Sequence, residues 1–89
     1  MATKEQNLES LNNAMSTLNQ IATNPSTPRN IRKNIAELVE GLKSDEYSMS
    51  VRAVNTISLL DDVTQDPNLP SYVRTPLWQA VSTLESIRE

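Results

Sequence analysis

Two prolines three residues apart, Pro25 and Pro28, stand just ahead of an apolar run in "NPSTPRNIRKNI", residues 24–35. The same spacing returns as Pro67 and Pro70 in "DPNLPSYVRTPL", residues 66–77. A proline disfavours the α conformation at the residue before it, and at the first helical position its missing N–H costs nothing. Each phrase is therefore a helix stop followed by a helix start. A chain of 89 residues that carries this phrase twice, 42 positions apart, is divided into helical hairpins before any other feature is weighed.

The apolar periodicity agrees. Leu8, Leu11, Met15, Leu18 and Ala22 step by three and four, with Ile21 beside them, and predict a first helix over 3–23. Thr3 with Gln6 has capping-box spacing. Thr27 as N-cap and Pro28 at the first helical position open a second helix to Lys43, striped by Ile31, Ile35, Leu38, Val39 and Leu42. A third is expected over 48–65, faced by Val51, Val54, Ile57, Leu60 and Val63 and widened by Ala53 and Leu59. A fourth is expected over 71–88 on Val73, Leu77, Ala80, Val81, Leu84 and Ile87. Pro76 leaves a choice there: one helix with an irregular first turn, which we favour, or a fresh start capped by Thr75.

Shifting the chain by 42 positions lays the second stripe on the fourth without a gap. Met15, Leu18 and Ile21 fall on Ile57, Leu60 and Val63, and Pro25, Pro28 and Arg32 on Pro67, Pro70 and Arg74. Matched helix pairs of about 40 residues are the mark of a helical duplication. The links are short, which makes consecutive helices antiparallel neighbours. The expected fold is all-α: an antiparallel four-helix up-and-down bundle, one domain over 1–89, with hairpins at about 3–43 and 48–88. The alternative is two HEAT-like repeats, suggested by Asn30-Ile31-Arg32, Ser50-Val51-Arg52 and Tyr72-Val73-Arg74. Two such units fall short of the roughly three that a solenoid needs.

Composition narrows the chemistry. There is no Cys, which removes thiolate metal sites and a Cys nucleophile, and no His, which removes the commonest metal ligand and general base. No stretch approaches the roughly 18 apolar residues of a membrane span, so a soluble, cytoplasmic protein without membrane partners is expected. A net charge of −3 gives no support to nucleic-acid binding by bulk charge.

Three groups of side chains are candidates for a role. Arg29, Arg32 and Lys33 open the second helix and Arg74 the fourth, where a cation opposes the helix dipole, while Asp61 and Asp62 end the third with the equally unfavourable sign. The topology brings them to one end of the bundle, so Arg32 and Arg74 are candidates for an ion-pair network with Asp61, Asp62 and Asp66; ordinary solvated charges are the alternative. Trp78 and Tyr72 lie off the main stripe, and with Arg29 and Lys33 they form the candidate partner surface. A flanking Trp is more often a core-edge residue than an anchor. Tyr47 is expected to staple the middle link. The acidic residues Asp61, Asp62 and Asp66, with Asp45 and Glu46 elsewhere, are the best that an enzyme reading can find; Asp62 and Asp66 are four apart and both face one Mg²⁺ if the helix continues. A solvated helix end is the plainer account.

The stretches "NPSTPRNIRKNIAE" and "SVRAVNTISLLDDVTQDPNLPSYVRTPLWQAVSTLE" resemble the archaeal uncharacterised protein family numbered zero-one-four-seven, over about residues 8–85. Pro76 departs from the family pattern. The resemblance implies a compact all-helical domain in an archaeal cytoplasm. It implies no activity and carries no functional residues over. The resulting expectation is a non-enzymatic module without cofactor or metal that contacts another macromolecule. A protein partner comes first, RNA through Arg29, Arg32 and Lys33 second, and a Mg²⁺-dependent enzyme last; self-association is left open.

Overall fold

The computed structural model describes residues 3–44, 46–67 and 69–88. Among them the chain forms four helices and no strand: α1 Lys4–Thr23, α2 Arg29–Lys43, α3 Met49–Thr64 and α4 Ser71–Glu85. Each helix packs on two neighbours, α1 and α3 both lying between α2 and α4. Across the centre α1 also meets α3, whereas among the described residues no Cα of α2 comes within 8 Å of one of α4. Tyr72, at the start of α4, bonds to Ser26 just after α1, and Arg88 beyond α4 bonds to Asn7 in the first turn of α1. These two ties fix α1 and α4 as antiparallel. The result is an up-and-down bundle measuring 37 × 21 × 18 Å, not a HEAT-like pair.

The helix ends follow local chemistry. Thr3 and Gln6 form the expected reciprocal capping box, at 3.1 and 2.9 Å. Ser48 caps α3 by accepting from the Val51 amide. At α2 the structure corrects the expectation. Pro28, not Thr27, is the N-cap, and Thr27 is buried in the turn. Pro70 plays the same part at α4 with nearly the same backbone, φ −60° and ψ 144° against −54° and 141°. The two proline cassettes then share three main-chain bonds. Asn24 N–H donates to Ile21 O as Asp66 N–H does to Val63 O, at 3.3 and 3.2 Å. Thr27 N–H donates to Asn24 O as Leu69 N–H does to Asp66 O, at 3.0 and 3.1 Å. Arg32 N–H donates to Pro28 O as Arg74 N–H does to Pro70 O, at 2.9 and 3.1 Å. That is the physical content of the repeated phrase.

Pro76 neither splits nor restarts α4, which runs unbroken from Ser71 to Glu85. The irregularity falls in the first turn, where Pro70 O accepts from both Val73 and Arg74. Thr75 does not cap; its hydroxyl bonds back to Ser71 O.

The interior repeats at 42 residues as closely as the cassettes do. The buried positions of α1 are Asn7, Leu11, Ala14, Leu18 and Ile21, and those of α3 begin Met49, Ala53, Thr56 and Leu60, with Val63 half-buried at the fifth place. Ile31, Ile35, Leu38 and Leu42 of α2 are matched by Val73, Leu77, Ala80 and Leu84 of α4. Leu18, Ile35, Leu42, Leu60, Leu77 and Leu84 are the large, fully enclosed side chains. Each contributes on the order of 1.5–3 kcal/mol by leaving water.

Two predicted faces need correction. In α1 the inward position belongs to Asn7, and Leu8 is exposed. Asn7 tolerates burial because its amide clasps the chain end: Nδ2 donates to Arg88 O at 2.7 Å, and Oδ1 accepts from Arg88 N–H at 3.0 Å. In α3 the expected face is rotated: Val51, Val54 and Leu59 point to solvent, while Met49 and Thr56 turn inward.

Candidate interaction surface

The duplication supplies an internal reference for the surface. Among the described residues seven large apolar side chains are exposed, and six of them belong to the second half: Tyr47, Val51, Val54, Leu59, Tyr72 and Trp78. Their counterparts 42 residues earlier are Glu5, Glu9, Asn12, Thr17, Asn30 and Ala36. One position runs the other way, Leu8 against Ser50. Helix α3 is the extreme case. It buries one face in the bundle and still shows Val51, Val54 and Leu59 to water, with exposures of 44, 64 and 50%. A helix apolar on most of its circumference has the pattern of one with neighbours on more than one side.

Two depressions border α3. Between α3 and α4, Ala53, Val54, Ile57, Leu84, Glu85, Ile87 and Arg88 line a shallow hollow. Between α2 and α3, Leu38, Leu59 and Val63 floor a hollow edged by Asn34, Glu37 and Asp62. A second hollow continues from it past Gly41, Thr56 and Asn55 to Glu46 and Tyr47, sharing Glu37, Leu38 and Leu59. Together they make one groove along the α2–α3 seam. The middle link is fastened at its far end by Arg52, whose Nη1 donates to Leu42 O at 2.9 Å and whose Nε reaches Ser48 O at 3.4 Å. Tyr47 lines the groove half-exposed and does not staple the link.

The four residues of the predicted partner surface are all exposed. Trp78 is 58% exposed, so the core-edge reading of it does not hold. Tyr72 is equally open but is turned onto the first link, donating to Ser26 O at 2.5 Å. The two aromatics are six residues apart, about 120° around α4. Arg29 and Lys33 are exposed on α2, and the bond to Ser26 places Tyr72 on the link that leads into Arg29.

The charged end resolves differently from the expected ion-pair network. Among the described residues no ion pair joins Arg32 or Arg74 to Asp61 or Asp62. Arg74 instead donates through Nη2 to the main-chain carbonyl of Asp66, at 3.2 Å. Arg52 and Arg74 are thus alike in reaching a preceding main-chain carbonyl from the start of a helix: Leu42 O belongs to the last turn of α2, where the dipole favours a cation, and Asp66 O to the link after α3. The role of Arg52 was not foreseen, though "SVRA" matches "YVRT" in sequence. Arg32 makes no such bond, and the Nε atoms of Arg32 and Arg74 are both buried without a partner. Asp61 and Asp62 are exposed on α3. Asp66 lies two residues beyond the helix end, so Asp62 and Asp66 do not share the helical face on which the Mg²⁺ reading depended. Asp45 is outside the described residues. Among the described residues no three acidic side chains converge as a metal set, and no helix is long and apolar enough to cross a membrane.

Fold and surface together define a small duplicated-hairpin bundle, with an interior common to both halves and an apolar exterior concentrated on the second. Comparison with known proteins places it further. The model of the Uncharacterised protein family (UPF0147) matches residues 1–87, and the chain belongs to that family. A UPF0147 protein of the archaeon Metallosphaera sedula is 38% identical over 89 residues, all of both chains. A crystal structure of the unknown-function protein MMP1188 superposes with a TM-score of 0.89 at 36% identity, covering 99% of this chain and all of that one. The crystal structure of a UPF0147 protein from Thermoplasma acidophilum gives 0.87 at 27% identity, with 94% and 99% covered.

Proposed function

We propose that the protein is a non-catalytic docking module that binds a protein partner through the outer side of its second hairpin. The observation that carries this reading is the one-sided distribution of exposed apolar side chains on a scaffold whose two halves pack alike. Trp78, Val51, Val54 and Leu59 leave about half of their apolar surface in water, and exposed apolar surface of this extent is a feature of binding faces. Helix α3, open on two flanks, is the centre of that face, and Trp78 is its aromatic anchor.

Affinity capture from native lysate tests the reading, using the wild-type chain and a variant carrying Val51→Glu, Val54→Asn, Leu59→Thr and Trp78→Ala, with nuclease present. The wild type is expected to retain a defined set of proteins that the variant loses. Equal retention by both would remove α3 as the docking face. A second reading, RNA contact, draws on the exposure of Arg29 and Lys33 one helical turn apart on α2. It requires a nuclease-sensitive, salt-labile catch that Arg29→Ala and Lys33→Ala abolish.

A further inference from the structure

We infer that the groove between α2 and α3 receives the apolar face of a basic amphipathic helix, an inference that rests on the docking reading and names the chemistry of the partner. The floor of the groove is aliphatic, formed by Leu38, Leu59 and Val63. Its edges carry the carboxylates of Glu37, Asp62 and Glu46. Among the described residues no lysine lines it, and its arginine, Arg52, is held by Leu42 O and Ser48 O. An apolar floor between acidic edges complements a helix with a leucine face and lysine or arginine flanks.

The related seam on the other side of the molecule shows that this arrangement is not a by-product of the fold. The shift of 42 residues carries the α1–α4 seam onto the α3–α2 seam. At the positions of Leu59, Asp62 and Val63 that seam has Thr17, Gln20 and Ile21, and at the position of Gly41 it has Thr83. Its hollow is the smaller one and is bordered by Tyr72, which is tied to Ser26. The aliphatic floor, the acid and the open glycine therefore occur together on one of two equivalent seams. A Cβ added at Gly41 would meet nothing within 4 Å, so there is room at that point for a partner side chain.

The occupant is a helix for geometric reasons. Among the described residues there is no strand, so an extended peptide finds no sheet edge to extend. From Arg52 to Val63 the α3 side of the groove runs about 16 Å, or three helical turns. That length matches apolar anchors at i, i+4, i+7 and i+11 on one face of a docking helix.

The test uses the full chain and two synthetic amphipathic peptides of about 15 residues, identical in their leucine face and flanked in one by lysines and in the other by glutamates, with binding followed by fluorescence anisotropy. The lysine peptide is expected to bind at least about tenfold more tightly than its twin, a difference of about 1.4 kcal/mol. Leu59→Thr and Gly41→Leu should each weaken it by about tenfold or more, with helicity and Tm close to wild type. Glu37→Gln with Asp62→Asn should flatten its dependence on salt. Asn12→Val, on the first hairpin, should leave it unchanged. Equal affinity for the two peptides, no binding of either, or binding that survives Leu59→Thr and Gly41→Leu would overturn the groove assignment. None of these results touches the docking reading, which fails only if lysate capture ignores the substitutions on α3 and Trp78.

Discussion

The two hairpins are alike inside and unlike outside. Asn7, Leu11, Ala14, Leu18 and Ile21 in one occupy the stations of Met49, Ala53, Thr56, Leu60 and Val63 in the other, yet where Val51, Val54 and Leu59 are exposed the first hairpin has exposed Glu9 and Asn12 and a half-buried Thr17. Interior identities are held by packing, because a close-packed core registers the gain or loss of a single methylene. Exposed positions are free of that restraint, so an apolar surface on one copy and a polar surface on the other marks a demand other than folding. The same contrast divides the two seams. The α1–α4 side is drawn together by Asn7 with Arg88, Ser10 with Ser86 and Ser26 with Tyr72. On the α2–α3 side the fastening lies at one end, through Arg52 to Leu42, beside an open groove.

If the interiors are equivalent, damage to them should be equivalent too. Leu18 and Leu60 are both fully buried at matched stations. Leu18→Ala and Leu60→Ala should each cost about 2–5 kcal/mol, agreeing to within about 1 kcal/mol, as read from urea unfolding midpoints. A much cheaper Leu60→Ala would mean that the second hairpin packs loosely and that its exposed apolar residues reflect poor packing, not docking.

The helices themselves were legible because proline punctuation and 3.6-residue periodicity are local. The face of α3 was not, and the reason is geometric. Val51, Val54, Ile57, Leu60 and Val63 advance by threes throughout, and each step of three falls about 60° short of a full turn, so five such residues sweep about 240° of the helix. The true inward set, Met49, Ala53, Thr56, Leu60 and Val63, alternates steps of four and three, as does the set in α1. Alignment of α3 to α1 at the 42-residue shift would have selected it. Asn7 was missed for a different reason: an amide at a core station is acceptable only because the Arg88 backbone comes to meet it, and local pattern does not show a contact 81 residues away. The candidate surface was legible in Trp78 alone. Its centre on α3 was hidden by the assumption that Val51, Val54 and Leu59 were core.

The arginines offer a finer comparison. Arg32 and Arg74 occupy matched stations and each buries an unpartnered Nε, but Arg74 alone of the two donates to a neighbouring carbonyl. Arg74→Met should therefore cost about 1–2 kcal/mol, the range of a partly buried charge-assisted bond. Arg32→Met should stay within about 0.5 kcal/mol, since it relieves a desolvated nitrogen while losing no bond. Equal costs, measured by chemical denaturation, would show that both arginines act through their stems against the core and that the carbonyl contact is incidental.

The smallest effect on folding is expected where the largest effect on binding is. Val54, at 64% the most exposed of the large apolar side chains, has Asn12 as its counterpart. Val54→Asn installs on the second hairpin what the first already uses, and the two residues differ little in helix propensity. The unfolding midpoint should move by less than the equivalent of about 0.5 kcal/mol, and the reciprocal Asn12→Val should be as mild. Partner retention should fall for Val54→Asn and stay constant for Asn12→Val, because the proposed docking face is on one hairpin only. A loss of stability above about 1 kcal/mol for Val54→Asn would place Val54 in the energetic core despite its exposure. The asymmetry between the hairpins would then be an asymmetry of packing, and the surface argued from it would lose its foundation.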